Sequence, residues 1–288
     1  SGVGFQPDFF WIKQRSSNQG HLLWDAVRGG NYYLPSNGTG ASLADIGTFT
    51  AASDGYSLAT DGAYNGSSQT YVGWNWKANG QGSSNTDGTI NTTYTSVNTT
   101  AGISIVKYVG NGTSGATVGH GLGVVPKMII VKALSGSNNW AVYHASMGAT
   151  KYLRLNATIA DSTSTARWND TAPTSSVFSI GNDGEVNSNT VSYVAYCFAD
   201  KTGYSKFGSY TGNGNTNGTF VYTGFKPAFV LYKGYSGGNT ADNWEMVDNK
   251  RSPYNPVTNV LYPNLQNAEG TGVTSRMDLL SNGFKMRT

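Results

Sequence analysis

The chain has 288 residues, 38 of them glycine, with 12% charged residues and a net charge of +3 from 19 basic and 16 acidic side chains. No Lys/Arg run supplies the footprint of phosphate-driven nucleic-acid binding, and neither a run of about 18 apolar residues nor a signal-peptide core is visible. Glycine with abundant Asn, Ser and Thr, and no long amphipathic helix, leaves an all-β protein of short strands and tight turns.

The predicted elements recur in chain order. GFQPDFFWIK, ending at Lys13, opens with Gly4 three residues before Pro7 and reads as a strand; HLLWDAV, NYYLPSN, DGYSL around Tyr56 and TYVGWNWKA (70–78) follow. A Tyr-x-Gly-Asn-Gly segment from Tyr108 introduces GVVPKMIIVK, ending at Lys132, then WAVYHAS, KYLRLN, SVFSI around Phe178 and SYVAYCFAD (192–200). A second such segment from Tyr210 introduces GFKPAFVLYK, ending at Lys233, then WEMVDNK, NVLYPN and NGFKM around Phe284. Pro7, Pro126 and Pro227 sit at strand starts, where no ladder N–H is needed, roughly 100 residues apart, the size of a small β-sandwich.

This repeat predicts three tandem lectin-like β-sandwich modules of jelly-roll type over residues 1–100, 101–202 and 203–288, each with its own smaller core. The outer two read as incomplete. The first lacks an entering strand and the third its closing strands, so edges near residues 3–13 and 280–288 are expected to be covered by further polypeptide, of a longer chain or of a neighbour.

The strings GLGVVPKMIIVK, WAVYHASMGATKYLRLN, WNDTAPTSSVFSIG, YVAYCFAD and SKFGSYTGNG resemble the repeated modules of proteins encoded by tailed phages of aquatic bacteria and by environmental sequences. The resemblance covers nearly the whole chain. It implies a virion appendage or tail-fibre component built from lectin-like sandwiches, and it carries no catalytic residue.

Enzyme signatures are weak. His21, His120 and His144 lack the paired spacing of a zinc site, and His120, beside a Gly-rich turn, reads as a hydrogen-bonded turn residue. Asn182, Asp183 and Glu185 offer a few oxygens, fewer than calcium takes, so no metal and no cofactor is assigned. Asp25, Asp170, Glu185, Glu245, Asp248 and Glu269 do not pair as glycosidase carboxylates, and the column Asp25, His144, Asp248 changes chemistry between copies.

Binding has more support. Trp140 and Trp244 share a column with His21, and the two tryptophans directly follow the polar loops SGSNN and GGNTADN, where an aromatic face could stack on a sugar ring. Trp74 and Trp76 alternate with Val72 and read as core. Cys197 shares a strand face with Tyr193 and Ala195, so it is expected to be buried and inert. Sequons at Asn37, Asn65, Asn91, Asn98, Asn111, Asn156, Asn169 and Asn217 are candidate N-glycan acceptors where the producing cell has the transferase.

The expectation is therefore a non-enzymatic structural component of an elongated extracellular assembly, a phage tail fibre or virion surface appendage, with self-association or a longer same-chain fibre and weak surface-glycan contact. The alternatives are a subunit of a glycosylated microbial surface filament and a polysaccharide-degrading enzyme. Neither nucleic acid nor membrane insertion is expected.

Overall fold

The structure, a computed structural model, describes residues 2–44, 49–236, 242–270 and 276–287. It is all-β, in antiparallel sheets. The first copy holds β1 (Phe9–Gln14), β2 (Leu22–Asp25), β3 (Tyr32–Pro35), β4 (Leu43–Ala44), β5 (Phe49–Ala52), β6 (Gly55–Leu58), the one-turn helix α1 (Gly62–Asn65) and β7 (Tyr71–Trp76). Its main sheet runs β4-β3-β2-β1-β7, beside the hairpin β5-β6. Next come β8 (Tyr94–Asn98), β9 (Ile103–Val109), β10 (Ala116–Gly119), β11 (Met128–Ala133), β12 (Ala141–His144), β13 (Lys151–Arg154), β14 (Ser162–Thr163), α2 (Thr165–Trp168), β15 (Val177–Ile180) and β16 (Ser192–Phe198). Here the sheet runs β14-β13-β12-β11-β16-β9-β8, with β10-β15 separate. The last strands are β17 (Phe220–Tyr222), β18 (Phe229–Tyr232), β19 (Glu245–Asp248), β20 (Met277–Leu280) and β21 (Gly283–Met286), paired as β18-β19 and β17-β21-β20.

The Gly-x-x-Pro strands are β1, β11 and β18. All three prolines are buried, two residues before the strand starts. The first two strands sit in the same register between equivalent neighbours: Phe9 opposes Asp25 and Trp76, and Met128 opposes His144 and Phe198. The break expected at residue 100 falls instead in the turn of a hairpin, because β8 pairs with β9 along its length. The edges expected to be covered by further polypeptide are paired within the chain itself. β1 has β2 and β7 on its two sides, and β21 lies between β17 and β20. Val3 and Gly4 donate to the Asp54 carbonyl just as Thr223 and Gly224 donate to that of Asn282.

Both faces of the Gly-x-x-Pro strands are apolar, and in β1 and β11 both are fully covered. Phe10 and Ile12 pack with Trp24 and Phe49; Ile129 and Val131 pack with Tyr108, Phe178 and Tyr193; and Val230 and Tyr232 pack with Val247, Met277 and Phe284. The alternate residues all enter one further core: Phe9 and Trp11, Met128 and Ile130, Phe229 and Leu231, with Trp140, Tyr196 and Trp244 among them. The separate interiors expected from the repeat are thus joined by a common one, since each inner strand turns half of its apolar side chains away from its own copy.

Equivalent bonds run from copy to copy in a closed cycle. Ser42 N donates to Leu134 O at 3.0 Å, Asp161 N to Tyr235 O at 3.0 Å and Glu269 N to Arg15 O at 2.8 Å. These link copies one and two, two and three, and three and one.

Candidate functional site

The stacking platform expected of Trp140, Trp244 and His21 is not presented to solvent. Trp140 and His21 are fully buried and Trp244 is 4% exposed, because the column lies on the contacts between copies. Trp140 Nε1 donates to the Pro35 carbonyl at 3.1 Å and Trp244 Nε1 to that of Arg154 at 2.9 Å. His21 Nδ1 accepts from Trp11 Nε1 at 2.9 Å, while Nε2 faces the Tyr262 carbonyl without a hydrogen bond of ordinary geometry. Burial, then the charges of Lys13 and Arg251, hold His21 well below the ordinary histidine range, so the ring is neutral. Each column residue is clamped by an Asn side chain that accepts its backbone N–H: Asn37 for His21, Asn156 for Trp140 and Asn264 for Trp244. The loop before Trp244 lies in part, at 237–241, outside the described residues.

The Asp25, His144, Asp248 column is structural too. Asp25 accepts from Arg28 N at 2.9 Å and Nε at 2.5 Å, and Asp248 from Arg251 N at 2.9 Å and Nε at 2.7 Å; all four residues are buried. Each carboxylate also accepts an aromatic donor from a neighbouring copy, Tyr196 Oη at 2.6 Å on Asp25 and Trp74 Nε1 at 3.2 Å on Asp248. In the middle copy both charges are replaced together: His144 stands for the aspartate and Met147 for the arginine. No aromatic donor reaches His144 among the described residues. A buried carboxylate appears only where its donors do.

The strand-terminal lysines form a third column. Lys13 Nζ donates to the carbonyls of Gln14 at 2.5 Å and Ser17 at 3.3 Å, Lys132 Nζ to those of Thr39 at 3.0 Å and Asn138 at 2.9 Å, and Lys233 Nζ to that of Thr158 at 2.9 Å and to that of Asp242. Burial lowers all three to about 8, opposed by Glu269, Glu185 and Asp242 respectively.

Other candidates resolve by local chemistry. Asp183 and Glu185, weighed as calcium ligands, are ion-paired: Arg167 meets both carboxylates, and Arg154 Nη2 lies 2.7 Å from Glu185. No group of three or more metal-ligating side chains occurs among the described residues. His120 is a bonded turn residue, with Nδ1 accepting from Leu122 N at 3.2 Å and Nε2 3.2 Å from the Thr174 carbonyl. Cys197 is fully buried with Tyr193 and Ala195 on its face, and burial pushes its thiol far up. Trp74 and Trp76 join the common core with Val72. Of the sequons, Asn65, Asn91, Asn111 and Asn217 are exposed. Asn156 spends its amide on Asn139 at 2.9 Å and Asn98 on the Lys77 carbonyl at 3.1 Å; Asn37 accepts from His21 N and Asn169 from Ser114 Oγ.

A concave surface with sugar-binding chemistry lies elsewhere, in a cleft of about 450 Å³ lined by Phe5, Lys77, Asn98, Thr100, Lys201 and Tyr204, among others. Tyr204 is 59% exposed, and Lys77 and Lys201 line the same cleft. The sequence signal for this site was faint: Tyr204 lies outside the repeat columns and follows Gly203, whose φ is 74°.

A family model described as a domain of unknown function (DUF7483) matches residues 1–288. No curated protein and no solved structure matches the chain.

Proposed function

We propose, for a chain that belongs to the DUF7483 family of domains of unknown function, that it is a structural component of an elongated extracellular assembly, such as a phage tail fibre or other virion surface appendage. The observation that supports this reading best is the unpaired side of β18. β1 and β11 are buried throughout and paired on both sides, whereas all four residues of β18 are half-exposed and, among the described residues, only β19 pairs with it. A central strand with one side unpaired offers a ladder for strand addition. Surface-glycan contact falls to Tyr204 and the flanking Lys77 and Lys201, since stacking on an exposed ring needs no deep pocket and repeated weak sites gain avidity when arrayed.

Imaging of the native particle and a glycan array test the two halves of this reading. The expected results are a repeating assembly with density against β18, and binding that drops at least tenfold in Tyr204→Ala. A native protein that stands alone and binds no glycan would overturn the proposal; turnover of a polysaccharide would select an enzyme instead. The exposed sequons keep a glycosylated filament subunit as the alternative, and the intact mass of the native protein decides it.

A further inference from the structure

We infer that the groove between β18 and residues 205–210 accepts an added strand with the side-chain pattern of β7 and β16: aromatic, Val, small, aromatic, any residue, aromatic. The inference rests on the assembly reading and specifies its joint.

The two filled positions define the third. β7 pairs along β1 with Lys13 opposite Val72 and Phe9 opposite Trp76, and β16 pairs along β11 with Lys132 opposite Val194 and Met128 opposite Phe198. Both strands turn valine and two aromatics into the common core. Both turn the intervening small residue, Gly73 or Ala195, toward their own copy, where a Cβ on Gly73 would come within 2.6 Å of the Phe10 ring. β18 shows the same alternation on its own side, with Phe229 and Leu231 toward the common core.

The far wall of the groove is already in place. Tyr210 stands edge-on to Phe284 at 6.2 Å, as Tyr108 stands to Phe178 at 6.3 Å. Yet Tyr108 belongs to β9, which is laddered to β16, while residues 206–210 form no strand. A segment that carries the right side chain to the right ring but lacks a ladder is missing the strand that would hold it. The floor differs from the other two positions in one respect. By the cyclic order, the fourth residue of the added strand meets His144 where Tyr196 meets Asp25 and Trp74 meets Asp248. Imidazole can accept from a phenol or an indole N–H, so an aromatic donor suits this place as well.

The probe is a synthetic peptide with the sequence of residues 192–200, or of 70–78, added to the intact chain. The expected result is saturable one-to-one binding, amide protection gained in 229–232 and 205–210 but not in β1 or β11, and a melting temperature higher by about 2–4 °C at saturation. The same peptide N-methylated at alternate residues keeps its side chains but loses the ladder, and should bind at least tenfold more weakly. Absence of binding by both unmodified peptides, equal binding of the N-methylated form, or protection elsewhere would overturn the inference. A native protein found alone, but competent to take the peptide at β18, would sink the assembly reading and leave this one standing.

Discussion

Asp25 and Arg28 are enclosed so fully that either is untenable without the other. Asp25→Ala should cost about 3–5 kcal/mol in urea denaturation, because it strands a buried guanidinium. The joint replacement Asp25→His with Arg28→Met, which writes the second copy's pair into the first, should cost less than the sum of its single changes, and a double-mutant cycle measures that coupling. At Cys197, an introduced aspartate should cost several kcal/mol, whereas alanine should cost about 1–2 kcal/mol and the native thiol should resist labelling until the protein unfolds. The lysine column predicts a pH dependence. An unfolded lysine titrates at 10.5 and these three at about 8, so above pH 8 the unfolded chain binds more protons and stability rises with pH. From about pH 9 upward the thiol and then the tyrosines, whose ionisation is favoured in the unfolded chain, pull the other way. Denaturation series between pH 7 and 9 should show the rise, and Lys132→Met should flatten it. Alternation along one strand was enough to place Cys197, Trp74 and Trp76. The polar loops misled for Trp140 and Trp244, because a polar loop before a tryptophan reads as surface and nothing in one copy shows that the next copy lies against it.

Among the elements, the Gly-x-x-Pro strands and their partners were legible because Pro fixes a strand start and the apolar run that follows is continuous. The run also holds the clue to the common core, since strands buried on both faces read as unbroken apolar stretches. The one-turn helices α1 and α2 left no periodic signal, being shorter than one hydrophobic repeat. The third strand of the last copy shrinks to a single bridge between Met246 and Leu261, with Tyr262 and Pro263 close behind. The segment between β7 and β8 depends on Gly82, whose φ is 73° and whose added Cβ would collide with the carbonyl of Thr95. Gly82→Ala should therefore cost about 2–3 kcal/mol, seen as a lowered urea midpoint, with the first loss of amide protection at β8.

For the molecule as a whole, the common core decides how it comes apart. Independent sandwiches would melt in separate steps. A core that takes Trp11, Ile130 and Leu231 from three different copies should give one calorimetric transition, with the van't Hoff and calorimetric enthalpies equal. Two resolved transitions would show that each copy stands by itself. The cycle of contacts bears on what one chain can do that three identical ones cannot. A ring of separate identical subunits must repeat every site three times, so it can be open everywhere or nowhere. Covalent fusion lifts that constraint: two positions keep Asp with Arg and an aromatic donor from the neighbouring copy, while the third carries His144 with Met147. Polarity follows from that broken symmetry, and under the proposed strand addition only one of three equivalent positions takes the joint.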